Sequence, residues 1–325
     1  MKVVFSTAVA IAFAATAASA ADLKPAYKAP PAPVVASPWD IAFGAAIMND
    51  YVFRGITQSN HKGSVAAYFE PRFNISPTLQ LYAGISGESI SFPNRAAAEI
   101  DFYGGIRPTF GPVALDFGFW YYYYPGGTCF NAAIPGECAA NGNIPINQNV
   151  IKNDLSFWEV YAKGTYTIND SWALGANFYY TPSFLNSGAD GEYLSGTVKY
   201  TGPGNFLPYG IGFYISGEFG RQWLGTSDAF YGVTGFPNGI PYADYNTWNV
   251  GLGFTWKVFT LDLRYSDTNL SKGDCNAFTS DWTATAPSLT GDITPINPGG
   301  QSSKWCGATF IAKFSADLTL GSLKP

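Results

Sequence analysis

The chain holds one histidine, His61, and it stands close before Ser64; this is the nearest the sequence comes to a base beside a nucleophile. Acyl or lipid hydrolysis needs that base within hydrogen-bond reach of the hydroxyl and a third group to orient it. No nucleophile elbow surrounds Ser64, and a loop histidine flanked by Lys62 and Gly63 reads as solvated. A lipid-hydrolysing barrel is therefore the remote alternative, and a non-enzymatic chain is expected. No Cys/His metal spacing, phosphate loop or dinucleotide fingerprint appears, so neither metal nor cofactor is expected. The four cysteines, Cys129, Cys138, Cys275 and Cys306, are even in number, which in an exported chain favours disulfides. Sequence leaves their connectivity open; the nearest pairing, Cys129 with Cys138 and Cys275 with Cys306, is the one expected.

A second kind of chemistry belongs to charges spaced by two. Glu99, Asp101 and Arg107 share one side of 98–107, opposite Ile100, Phe102 and Ile106. Asp262 and Arg264 alternate with Leu261, Leu263 and Tyr265, and Glu70, Arg72, Asp116 and Lys163 hold polar-face positions in their own segments. Charges of both signs on one face line a water-filled pore, or pair into a ladder that fills a narrow barrel, because unpaired charge in a low-dielectric space is costly. Asp50 and Arg54, near the outer end of the first segment, are candidates for a constriction. The plainer reading pairs Arg54 with an acid on the adjacent strand and gives Gly55 a tight bend. Tyr121–Tyr124 reads first as part of an interfacial girdle and second as a sugar-stacking platform.

Such faces require strands. Period-two alternation predicts about twelve, near 39–56, 64–75, 78–90, 97–109, 112–124, 154–168, 171–181, 191–201, 208–222, 244–257, 258–269 and 305–318. Short connections at 76–77, 110–111, 169–170, 202–207 and 257–258 alternate with long ones at 125–153, 224–243 and 270–304, the rhythm of a membrane barrel with tight turns at one end and loops at the other. Composition agrees. Charged residues are only 13%, against about 25% in soluble domains, while aromatic residues reach 17%. A soluble sandwich or lipocalin-like barrel needs more charge outside than this. No window outside the N-terminal segment is long and apolar enough for a membrane-spanning helix. The net charge of -5 argues against a nucleic-acid partner.

The domain plan expected is a signal peptide at 1–20, with Lys2, an apolar run and Ala18-Ser19-Ala20 before cleavage, then a Pro-rich periplasmic segment at 21–38, then an outer-membrane β-barrel at 39–325. The fold class is all-β, a transmembrane antiparallel barrel.

The stretch Asn49-Asp50-Tyr51-Val52-Phe53-Arg54-Gly55-Ile56-Thr57-Gln58-Ser59 resembles the S-D-Y-x-F-R-G-x-S-Q signature of the bacterial Gcw_chp family, departing from it at Asn49 and Thr57. Glu99–Phe110 resembles that family's acidic-aromatic strand, and Tyr121–Gly126 its Tyr-x-Tyr-Pro-Gly ending. The likeness covers about 39–126 well and the rest by pattern. The Ala-Asp-Leu-Lys-Pro start at 21–25 also resembles the mature starts of porin-like outer-membrane proteins. What the resemblance implies is a barrel without a settled function.

The function expected is a passive channel for small hydrophilic solutes, with the charged lumen setting selectivity. The alternative is a structural or adhesive surface barrel with disulfide-pinned loops and no open pore. Expected partners are outer-membrane lipid and lipopolysaccharide, such solutes, and the barrel-assembly machinery, for which Phe314 stands in as the aromatic signal ahead of the Gly-Ser-Leu-Lys-Pro ending.

Overall fold

Residues alternating between lipid-like and water-like side chains cannot all be satisfied unless the sheet separates two media, and a closed sheet does so without leaving an unpaired edge. The computed structural model describes residues 38–128, 149–204, 206–285 and 292–323. Signal-peptide residues 1–20, all of the Pro-rich segment but Pro38, and Cys129 and Cys138 lie outside them.

Fourteen strands follow in order: β1 (Trp39–Met48), β2 (Val52–Phe53), β3 (Ile56–Thr57), β4 (Ser64–Ser76), β5 (Leu79–Glu88), β6 (Glu99–Phe110), β7 (Val113–Tyr123), β8 (Phe157–Thr167), β9 (Trp172–Thr181), β10 (Gly191–Thr201), β11 (Gly212–Leu224), β12 (Tyr245–Trp256), β13 (Phe259–Thr268) and β14 (Thr309–Thr319). All except β2 and β3 pair antiparallel in chain order, and β14 closes on β1, with Ala45 opposite Ala316 on one side and Ala67 on the other. The result is a closed twelve-stranded barrel.

Its outward positions are apolar. Trp39, Phe73, Phe110, Tyr166, Trp172, Tyr200, Phe213, Trp256 and Phe259 ring the turn end, and Tyr121, Tyr123, Trp158, Trp223, Trp248, Tyr265 and Phe310 ring the loop end. Between the rings lie aliphatic residues such as Val160, Leu174, Leu194, Ile215, Val250, Leu252 and Leu261, many of them exposed. Among the described residues the outward strand positions carry charge only at Glu192, Arg221 and Asp267, all toward the loop end. That is an aliphatic belt between two aromatic girdles, the surface a bilayer accommodates.

The structure corrects several expectations. The first strand stops at Met48 rather than 56, because 49–59 turns inward. The segment 272–279, within a predicted loop, is a helix, α1, whose Ser271 side chain accepts from the Asp274 N–H as an N-cap. Tyr122 and Tyr124 are buried inside the barrel rather than in a girdle, since alternation sends only Tyr121 and Tyr123 outward. His61 is not a freely solvated loop residue, as its contacts below show. Cys275 and Cys306 form a disulfide, tying α1 to the chain entering β14.

Candidate functional site

The inward stretch 49–59 is built for its path. Asn49 extends the β1 pairing sideways: its Oδ1 accepts from the Ala312 N–H at 2.6 Å and its Nδ2 donates to the Phe310 carbonyl at 2.9 Å. The chain then leaves the wall. Asp50, buried, gathers the returning arm by accepting from Thr57 Oγ1, from Ser59 Oγ at 3.0 Å, and from Thr309 Oγ1 of the wall at 3.2 Å. Val52 pairs with Thr57 and Phe53 with Ile56, and the two residues between have positive φ, 46° at Arg54 and 79° at Gly55. Two successive left-handed residues make the tight hairpin turn whose twist suits its strands. Gly55 is required there: a Cβ would stand 2.7 Å from Thr247 Oγ1 of β12.

Arg54 is the tip. Its guanidinium meets Glu159 of β8 through two parallel bonds, Nη1–Oε1 at 2.9 Å and Nη2–Oε2 at 2.8 Å, and Nη1 also donates to Gln222 Oε1 of β11 at 3.0 Å. The rings of Phe53, Tyr179 and Tyr193 lie 4.6–4.7 Å from Cζ, and Tyr122 Oη donates to Glu159 at 3.1 Å. A flat, weakly hydrated cation between aromatic faces with a bidentate carboxylate is a geometry that Arg fills and Lys does not. The partner acid is on a strand remote from β1 in the barrel order, so the expected pairing with an adjacent strand does not occur.

His61 follows the hairpin. Its Nδ1 lies 2.7 Å from Asp50 Oδ2 and its Nε2 2.8 Å from the Lys304 carbonyl. The hydrogen bond to Asp50 raises the imidazole pKa above its ordinary value; partial burial opposes this and the Lys304 carbonyl adds to it. Ser64 Oγ is turned elsewhere, donating to the Ser89 carbonyl at 2.7 Å.

Below the hairpin, toward the turn end, the wall carries ion networks. Glu70 sits between Arg72 (Nε–Oε1 2.6 Å) and Arg107 (Nη1–Oε1 2.7 Å, Nη2–Oε2 3.1 Å). Arg107 also donates to Asp116 at 3.2 Å and stacks on Tyr82, which is bonded to Asp116 and Tyr161. Across β11–β13, Arg264 is held by Asp262, Asn249 and Ser216. Lys163 Nζ lies 4.2 Å from the Tyr161 ring centroid. Glu99 and Asp101 lie near the loop end beside Glu88, and Tyr51 and Tyr124 both donate to Glu99. The side chains of Glu70, Arg72, Glu99, Asp101, Arg107, Asp116, Lys163, Asp262 and Arg264 therefore point into the barrel. Asp50 and Arg54 belong to the hairpin instead.

Exposure is uneven along the axis, with Glu70 and Arg72 buried near the turn end. Arg54 and Glu159 are 3% and 0% exposed, whereas Arg107 and Asp116 nearer the turn end are 16% and 20% exposed. Above the hairpin, Phe53 packs with Phe184, which in turn packs on Phe157, and Phe278 of α1 packs on Phe184 and Tyr242. Ile56 bridges to Cys306, and the Thr57 N–H donates to the Trp305 carbonyl at 2.9 Å. Disulfide, α1 and hairpin are thus fastened together. Gln222, Tyr179 and Tyr193 were not among the sequence-derived site residues; the signal for them was the Arg-Gly pair between two short β-branched and aromatic runs, which reads as a hairpin tip needing a partner.

A family profile described as "Bacterial protein of unknown function (Gcw_chp)" matches residues 32–292. A comparison with curated proteins finds no match. Among solved structures the chain is similar to the KdgM porin, at 10% identity over 85% of this chain and 98% of that one with a TM-score of 0.39. It is likewise similar to the P. putida toluene transporter TodX, at 10% identity over 87% and 89% with 0.37, and to LpxR from Salmonella typhimurium, at 9% identity over 85% and 99% with 0.39.

Proposed function

The chain belongs to the Gcw_chp family, and from that premise we propose that it is an outer-membrane porin-like channel for small hydrophilic solutes, closed here by its own inward hairpin. The observation that carries this reading is the hairpin across the lumen: Arg107 and Asp116 toward the turn end keep partial exposure, their neighbours Glu70 and Arg72 are buried, and access ends at Arg54 and Glu159. What stops it is a piece of an outer loop rather than the strands themselves. A loop can withdraw without breaking the barrel's ladder.

The apolar belt and its two girdles support placement in the outer membrane, with lipopolysaccharide around the loop-end girdle. Assembly there would employ the usual barrel-assembly machinery. The mixed charges of Glu70, Arg72, Arg107, Asp116 and Lys163 would set selectivity once the hairpin moves. We read the chain as non-catalytic: both His61 nitrogens face Asp50 and Lys304, while Ser64 bonds to Ser89, so that pair offers no base to a nucleophile.

The test is single-channel recording of the purified protein in planar bilayers, beside Arg54→Ala and Arg107→Ala. The native protein should open rarely, Arg54→Ala should open often, and Arg107→Ala should change ion selectivity rather than open probability. An Arg54→Ala barrel that keeps heat-modifiable migration yet stays silent would sink the channel reading and leave a sealed surface barrel with disulfide-pinned loops.

A further inference from the structure

Three acids meet on the inner wall at the loop end, and the sheet itself puts them there. Glu88 ends β5 and is the register partner of Glu99, which begins β6; Asp101, the next inward residue of β6, faces Ser86. Carboxylate oxygens of all three lie within 4.8 Å of one another, and all three residues are buried. Like charges directly opposite on neighbouring strands destabilise a sheet, so something must compensate them.

Protein groups compensate part of the cluster. Tyr51 and Tyr124 donate to Glu99, the latter at 2.9 Å, and Ser86 Oγ donates to Asp101 Oδ2 at 3.0 Å. Glu88 is different: it is 2% exposed and neither of its carboxylate oxygens receives a well-formed hydrogen bond, the neighbouring Ser86 hydroxyl being turned to Asp101. Lys313 of β14 acts on Glu88 electrostatically. A buried carboxylate without a well-formed hydrogen bond, crowded by two others, is an incomplete coordination shell.

We propose that Glu88, Glu99 and Asp101 bind a divalent cation, and that the cation is calcium. The donors are all oxygen, which selects hard cations. Calcium bonds oxygen at about 2.3–2.6 Å in flexible geometry, so ligands on opposite sides stand about 4.6–5.2 Å apart, a span that accommodates this cluster. Magnesium demands near-octahedral order and keeps its waters, which suits a dry cage less. Tyr51 belongs to the base of the hairpin, so the ion would sit directly under the plug's anchor. The site itself does not depend on whether the barrel conducts.

The experiment is calorimetric titration of the chelator-stripped, full-length protein in detergent with calcium, then with magnesium, alongside thermal melting. Terbium supplies a second readout, because Tyr51 and Tyr124 are placed to sensitise its emission. Calcium should bind, raise the melting temperature more than magnesium does, and quench bound terbium by displacement. Glu88→Gln, nearly isosteric, should weaken calcium by at least about tenfold, the lower bound for losing even an outer partner of a metal site, and Asp101→Asn should do likewise. Absence of calcium binding to the native protein would overturn the proposal, as would unchanged affinity in both variants. A Glu88→Gln protein that melts higher than the native one, in a chain that binds no calcium, would overturn it in favour of carboxyls held neutral by shared protons. If Glu88→Gln does not fold, Asp101→Asn and the native titration decide between these outcomes.

Discussion

Arg54 shows how far one side chain is committed by its surroundings. It carries a positive φ that most residues avoid, and it is buried with Glu159, the one acid among the described residues bonded to it. Removing one partner of a buried pair strands the other charge, at a cost of about 3–5 kcal/mol, whereas replacing both with apolar groups of similar volume is near neutral. Arg54→Ala should therefore loosen the hairpin strongly, while Arg54→Met with Glu159→Leu should restore most of the loss; hydrogen exchange of residues 51–57 in the two proteins reads this directly. His61 is set by a weaker, titratable device. Its folded-state pKa lies above the unfolded value because of the hydrogen bond to Asp50. The stabilisation is thus full below the unfolded pKa, about 6.5, and fades as pH rises through the folded one. Protease protection of 58–63 should fall as pH is raised through that window, and His61→Ala should be flat across it; a native profile equally flat would remove this role. From sequence, the inward direction of the strand charges followed from period two alone. The partners of Arg54 did not, because they come from β8 and β11, far away in the chain, and periodicity carries no information about what lies across a lumen.

At the level of elements, the twelve wall strands were legible because each presents one face to lipid and one to the interior, so alternation was enforced from end to end. The hairpin was not, for a definite reason. Alternation continues through 50–57, and a reader counting faces runs β1 straight on past Met48. The local signal was the pair Arg54-Gly55 between Val52-Phe53 and Ile56-Thr57, a two-residue connection with glycine second, which favours a left-handed tight turn. Helix α1 was hidden differently: its turns pack Phe278 among loop aromatics and its Cys275 is bonded to Cys306, tertiary contacts that outweigh the Gly and Asp in its sequence. The hairpin's dependence on geometry makes Gly55→Val informative. The new side chain would need a strained φ and would overlap Thr247, so the element should leave its seat while the barrel ladder stays intact. The expected readout is new cleavage by protease within 52–57 together with unchanged heat-modifiable migration. Intact resistance to protease would mean that the wall yields instead of the hairpin.

The whole molecule inverts the usual distribution of polarity, and that inversion was the most legible property of all. A chain with 13% charged residues has too few to cover a water-facing exterior of this size, and those on its wall strands, apart from Glu192, Arg221 and Asp267, are drawn to the inside of the barrel. What composition could not give is how full the interior is, since a wall lined by charges suits an open pore and a plugged one equally; only the seat of 49–59 separates them. The exterior claim is open to a direct trial. Leu252 lies mid-strand in β12 and faces outward, while Arg221 also faces outward but near the loop end, where Asp244 holds it at 3.2 Å and the Trp223 ring lies beside it. Arginine on the lipid face costs about 2–4 kcal/mol at the bilayer midplane and about 0–1 near the interfaces. Leu252→Arg should therefore lower folding stability in lipid vesicles by the larger amount in a urea titration, and Trp248→Arg, close to the loop end of the same strand, by markedly less beyond its lost ring contacts. Equal losses at the two positions would mean that no hydrocarbon layer surrounds this strand, and with it the assignment of the belt to a membrane would fall.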